Sequence, residues 1–208
     1  MITAMQTRKS IALYGGSFNP IHLGHINLAI EMMEKGPLDE VWLCPAQLNP
    51  HKTHEKPLAA YHRLEMLKLA IMGIPGLAIC MAELQRPAPS YTIDTLEALM
   101  PHCPADMELY LMMGEDAAST FTLWHRAEEI ARKVPLLVGC RSLEQQPIDT
   151  TTKPPKSIQR ALAKGRVATR LFDISSTEVR RRLAFGQYCG HLISEKVLAY
   201  IYGHRLYS

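Results

Sequence analysis

The chain has 208 residues, 47% of them apolar and 21% charged, with a net charge of +3. That composition excludes a mostly disordered chain, and the length allows a core that needs no disulfide or structural metal. No run approaches the ~18 apolar residues of a membrane span, and residues 1–10 lack the apolar stretch of a secretory leader. The five cysteines are widely spaced with no C-x-x-C pair, which suits free thiols in a reducing, cytoplasmic setting.

In chain order, Ile11–Tyr14 reads as a strand running into Gly15-Gly16. Ile21–Glu34 has helical period, with Ile26, Ala29, Ile30 and Met33 on one stripe. Asn19-Pro20 stands before it as a candidate N-cap and first helical position. Glu40–Cys44 reads as a second strand, followed by a proline-bearing loop to Leu58 and a helix over Ala60–Met72. Leu77–Met81, Met107–Met113 and Pro135–Val138 are further strands, with a helix at about Thr92–Met100. Residues 142–157 read as a polar loop, Leu171–Ile174 as a last strand, and Ser176–Phe185 and Ser194–Tyr202 as helices. Strands alternating with helices imply βαβ crossovers and a mostly parallel sheet, whose ligands sit at the carboxyl ends of the strands. One domain spanning 1–208, with a tail at 1–9, is expected.

Two segments carry chemistry. In Gly15-Gly16-Ser17-Phe18-Asn19-Pro20-Ile21-His22-Leu23-Gly24-His25, paired glycines after a strand let backbone N–H groups approach a phosphate. His22 and His25, three apart, share a face of the first helical turn, and Gly24 is expected to leave ligand space beside them. In Ile174-Ser175-Ser176-Thr177-Glu178-Val179-Arg180, Ser175 and Glu178 have capping-box spacing, and Ser176 is an alternative cap. Either way a helix mouth lined with hydroxyls forms, toward which Arg180 folds back: a second anion site.

Charge is uneven. Residues 151–182 carry nine Lys and Arg against Asp173 and Glu178, a local net of +7. Phe172 is their only aromatic residue, so base stacking is poorly supported and no nucleic-acid partner is expected.

These residues resemble the nucleotidyltransferase superfamily, with its H-x-G-H and S-S-T-x-[IV]-R signatures, and most closely its bacterial nicotinate-nucleotide adenylyltransferases. Asn49-Pro50-His51-Lys52 followed by Arg63, Ser90-Tyr91-Thr92 followed by Thr95-Leu96, and Gly114-Glu115-Asp116 followed by Trp124 resemble further segments of that family. The resemblance implies an α/β, Rossmann-like doubly wound fold with C-terminal helices. It implies transfer of AMP from ATP to nicotinate mononucleotide, giving nicotinate adenine dinucleotide and pyrophosphate. By resemblance, His22, His25, Ser176, Thr177 and Arg180 hold the ATP phosphates, with His22, His25 and Arg180 catalytic. Gly15, Gly16, Ser17 and Phe18 bring backbone amides to them, and Asp116 contacts the adenosine end. Mg²⁺ arrives with ATP, held by phosphate oxygens and water, with no dedicated protein cage.

At the mononucleotide end, Trp124 is a candidate platform for the pyridine ring. Tyr91-Thr92 opens a helix whose N–H donors favour a carboxylate over a carboxamide. Lys52, His51 and Arg63 are candidate contacts to the mononucleotide phosphate. Asn19 stands where the family usually has Asp, which keeps an acceptor and removes a charge. A nicotinamide-mononucleotide or pantetheine-phosphate adenylyltransferase and a non-catalytic nucleotide-binding regulator are the alternatives. No membrane partner is expected, and self-association is left open.

Overall fold

The computed structural model describes residues 9–50, 57–140, 154–170 and 172–208. Six strands, Lys9–Gly16 (β1), Glu40–Pro45 (β2), Leu77–Ile79 (β3), Met107–Gly114 (β4), Leu136–Cys140 (β5) and Arg166–Ala168 (β6), form one sheet in the order β3-β2-β1-β4-β5-β6. Every pairing is parallel. The helices are Leu23–Lys35 (α1), Ala60–Ile71 (α2), Thr92–Leu99 (α3), Glu115–Ser119 (α4), Ala127–Lys133 (α5), Lys156–Lys164 (α6), Ser176–Ala184 (α7) and Glu195–Gly203 (α8). The expected doubly wound α/β fold is the one observed.

Side chains alternate across the sheet, as the two-residue period of a strand requires. Ala12, Tyr14, Met112 and Leu137 face the core packed with α1, α2, α7 and α8. Leu13, Leu111, Met113, Leu136 and Val138 face the core packed with α3, α5 and α6. Strand order reverses between β1 and β4, which pair from Lys9↔Met107 to Tyr14↔Met112. A crevice opens beyond the carboxyl ends of these two strands, the usual ligand position in such sheets.

Three expectations are corrected. The last strand is Arg166–Ala168; Phe172–Ile174 has no strand pairing, and Leu171 lies outside the described residues. The β6 strand is short and pairs only with β5, so its sequence carries little apolar alternation. Within 142–157, Lys156 and Ser157 already belong to α6, while 142–153 lie outside the described residues. On α1 the fully buried residues are Ile26, Leu28, Ala29, Glu31 and Met32, a stripe rotated from the expected one.

Glu31 explains the rotation. Its buried carboxylate accepts from Lys35 and from the Arg170 guanidinium, and from the Arg170 backbone N–H at 3.2 Å. Part of the basic segment is thereby used internally. Arg166 likewise pairs with Glu115 at 2.9 Å, whereas Lys156, Arg160 and Lys164 form an exposed stripe on α6.

Candidate active site

Beyond the ends of β1 and β4 lies a cavity of about 800 Å³, in the range of small-molecule sites. Gly15, Gly16, Ser17, Phe18, His22, His25, Asp116, Ser176, Thr177 and Arg180 line it, and so do Tyr91, Thr92 and Trp124. Lys52 and His51 lie outside the described residues.

The turn after β1 is tightly determined. Phe18 takes a left-handed conformation, φ 44°, and its ring is almost fully buried. The ring meets Tyr14 edge-on at 5.7 Å and His25 at 5.1 Å. It also covers Gly16 so closely that a Cβ there would stand 3.0 Å from it. Backbone carbonyls of the turn are occupied from behind: Gly16 O accepts from the Ala46 N–H at 2.9 Å and Ser17 O from Arg63 at 2.8 Å.

Helix α1 starts later than the sequence implies. Its N-cap is His22, and Asn19-Pro20 lies in the preceding turn with a cis peptide bond. The His22 N–H donates to His25 Nδ1 at 3.2 Å, and the two rings stack at 3.6 Å. Because Nδ1 of His25 accepts, the neutral ring carries its proton on Nε2. Gly24 serves this stack: a Cβ there would lie 3.1 Å from His22 Nδ1. Gly24 also lines the cavity, and there is open space at Gly15, where a Cβ would meet nothing within 4 Å.

His22 is 7% exposed, and its Nδ1 has no hydrogen-bond partner among the described residues. Burial pushes its pKa down from 6.5 to about 4, so the ring is neutral at pH 7. Between those values the unfolded chain takes up a proton that the folded chain refuses. Stability is expected to fall as pH drops from 6.5 towards 4, by up to about 3 kcal/mol from this group. Denaturant unfolding of wild type and His22→Gln at neutral pH and at about pH 4.5 checks it. The variant should lose that part of the slope; equal slopes would mean that His22 titrates normally.

Ser175 caps α7, accepting the Glu178 N–H at 3.1 Å, which leaves Ser176 as the first helical residue. Ser176 Oγ donates to Pro20 O at 2.9 Å. Arg180 folds back one turn, donating to Asn19 O at 2.9 Å and approaching Thr177 Oγ1 at 3.4 Å. The two motifs are thus fastened to each other directly.

At the other end of the cavity, Tyr91 caps α3 and its ring lies 4.6 Å from that of His125. Trp124 is half-buried and packs on Phe121 at 5.3 Å. Buried Glu83 accepts the Thr95 hydroxyl at 2.9 Å, and burial raises its pKa. Ser90 Oγ receives the Gln47 N–H at 2.9 Å. Glu83, Arg166 and His125 line the cavity too, and the sequence reading missed them. Only His125 offered a signal, its position next to Trp124.

Arg63 is corrected. Its side chain is 1% exposed, with Nε donating to Leu58 O at 2.9 Å, one terminal nitrogen to Ser17 O and the other reaching Gln47 O at 3.5 Å. Three of the five guanidinium donors are thus turned to backbone carbonyls, and the side chain does not line the cavity. Arg63 ties the turn after β1 to both ends of the loop between β2 and α2 and is not placed as a phosphate contact.

Strand order and cleft together define a doubly wound α/β protein with a ligand-sized cavity at its switch point, and comparison with known proteins narrows the class. Residues 13–182 match the family described as cytidylyltransferase-like. A Pseudomonas fluorescens protein named "Probable nicotinate-nucleotide adenylyltransferase" is 36% identical, covering 96% of this chain and 97% of its own length. A Salinibacter ruber protein of the same name is 37% identical, covering 95% and 97%. The chain belongs to the nicotinate-nucleotide adenylyltransferase family within the cytidylyltransferase-like group. The fold is also that of Plasmodium falciparum nicotinic acid mononucleotide adenylyltransferase complexed with NaAD, with a TM-score of 0.73, 21% identity and coverage of 96% and 97%.

Proposed function

We propose that this chain, as a single nucleotidyltransferase domain of the cytoplasm, transfers AMP from ATP to nicotinate mononucleotide, releasing pyrophosphate. The supporting observation is the fastening of the Gly15–His25 turn to the mouth of α7 through Ser176 and Arg180. Membership of the family supplies the reaction. Among the described residues, no helix is long and apolar enough to cross a membrane.

An oxygen of the mononucleotide phosphate forms the new bond to the α-phosphorus of ATP. The bond from that phosphorus to the β-phosphate bridging oxygen breaks, and its electron pair leaves with pyrophosphate. The attacking oxygen is already anionic, so no side-chain nucleophile is needed. The protein's work is alignment and stabilisation of developing charge. His25, through Nε2–H, and Arg180 stabilise the transferring phosphoryl group and the leaving pyrophosphate. Ser176 and Thr177 present hydroxyls and the helix mouth, and Gly15 to Phe18 form the backbone cradle. Neutral His22 fixes the His25 ring from below. Asp116 serves the adenosine end.

Among the described residues no group of three or more His, Cys, Asp or Glu side chains is placed to hold a metal ion. Mg²⁺ would enter as part of the ATP complex, where phosphate oxygens and water suit a hard cation. When bound, the ion would add charge neutralisation on the phosphates.

Trp124 stacks on the pyridine ring, and the first turn of α3 at Tyr91-Thr92 receives its carboxylate; Lys52 contacts the mononucleotide phosphate. Trp124→Ala is expected to raise KM for the mononucleotide about tenfold, the scale of one lost stacking contact, with KM for ATP unchanged. An effect confined to ATP would refute the stacking role.

The reading is tested by pyrophosphate release from ATP and Mg²⁺ with nicotinate mononucleotide, nicotinamide mononucleotide and phosphopantetheine in parallel. Turnover with the first and much less with the second is expected. Equal rates keep adenylyl transfer and remove the carboxylate selectivity. Turnover with phosphopantetheine alone, or with none, overturns the assignment.

A further inference from the structure

Tyr207 belongs to no motif above and lies 188 positions from the residue it touches. After α8 the chain turns so that Arg205 and Tyr207 both adopt left-handed backbone conformations, φ 50° and 64°. Such residues persist when surrounding contacts over-determine them. The Tyr207 hydroxyl supplies one contact, donating to Asn19 Oδ1 at 2.8 Å, and its ring packs against the core on the α1 side.

Asn19 is 9% exposed and is a junction. Its Oδ1 also accepts the Leu58 N–H at 3.4 Å, and its backbone carbonyl accepts Arg180 at 2.9 Å. Leu58 in turn gives its carbonyl to Arg63. The Tyr207 hydroxyl lies within electrostatic reach of both Arg180 and Arg63, and burial raises its pKa, so it remains a neutral donor. A short chain of hydrogen bonds therefore runs from Tyr207 through Asn19 to Arg180.

Resting on the adenylyl-transfer reading, we propose that Tyr207 is a positioning residue for the triphosphate: its hydroxyl fixes Asn19, and Asn19 fixes the carbonyl against which Arg180 is set. Asn suits this role because a neutral amide oxygen accepts from Tyr207 while adding no anion beside Arg180. Small misplacement of a phosphate-aligning group is costly to catalysis.

Tyr207→Phe keeps the ring and removes only the hydroxyl. Pyrophosphate-release kinetics, and calorimetric binding of a non-hydrolysable ATP analogue, are measured for wild type, Tyr207→Phe, Asn19→Ala and the double variant. KM for ATP and Kd for the analogue should rise about five- to tenfold in Tyr207→Phe, the scale of one hydrogen bond. KM for the mononucleotide should not move. The double variant should be no worse than Asn19→Ala, because both changes cut one chain of contacts. A merely structural role would lower the folded fraction and the apparent kcat, leaving KM for ATP untouched.

Unchanged KM and Kd in Tyr207→Phe, or fully multiplicative effects in the double variant, would overturn the proposal. Asn19→Ala gives a second route to the same readout should Tyr207→Phe fold poorly. If wild type binds the analogue but turns over no mononucleotide, adenylyl transfer falls, while a weakened Kd in Tyr207→Phe still upholds the positioning role. If wild type does not bind the analogue, both fall.

Discussion

His25→Ala is expected to lower kcat about 10²- to 10³-fold, the range found when one preorganised donor to developing charge is removed. The expectation follows from how the ring is held. Its Nδ1 is occupied by the His22 N–H, and its face rests on the His22 ring with Phe18 at its edge. A ring so fixed presents one tautomer and loses little entropy on engaging a phosphate oxygen. Thermal stability should fall only by about 1 kcal/mol, the worth of a helix-capping contact. Single-turnover kinetics alongside thermal unfolding separate the two effects. Turnover within a few-fold of wild type would remove His25 from the phosphate site.

Arg63→Ala is expected to have the largest effect on stability. Three partly buried backbone carbonyls lose their donor, at up to about 1–3 kcal/mol for each one left unsatisfied. Several kcal/mol is a large share of the total stability of an ordinary domain. For a chain of this length, a lowering of Tm of about 10 °C is the expected scale. Because Ser17 O is one of the three carbonyls, KM for ATP should rise as well. Arg63→Lys, with fewer donors and no planar fork, should recover only part of both. A variant that melts like wild type and changes only KM for the mononucleotide would return Arg63 to the ligand-contact role suggested by sequence resemblance.

The contrast between these residues shows what the sequence made legible. Five of the six strands were found where β-rich apolar runs lie: β1, β2, β4 and β5 are largely buried and read as continuous apolar signals, and the edge strand β3 is apolar throughout. The sixth, Arg166–Ala168, is as short an edge strand as β3 but opens on a charged residue and carries one branched apolar side chain, so it leaves almost none. In the same way, Gly15-Gly16, His22, His25 and Ser176 are local patterns, readable from spacing. Arg63 reads as a basic helix residue, and only the fold reveals that Leu58, Ser17 and Gln47 converge on it. Gly24 is the subtler case: it lines the cavity, and its missing Cβ also makes room for the His22 ring. Tyr207 meets a partner 188 positions away, and no spacing rule marks it.

The hydrogen bonds that join the Gly15–His25 turn to the mouth of α7 span 156 and 161 positions, and the one from Tyr207 spans 188. Contacts of that separation form only after loop-closure entropy has been met by the sheet between them. A nascent or partly unfolded chain therefore has neither half of the cradle in working geometry. Nucleotide binding then becomes a report on complete folding: ligand should stabilise the whole molecule by mass action and leave partly folded forms unprotected.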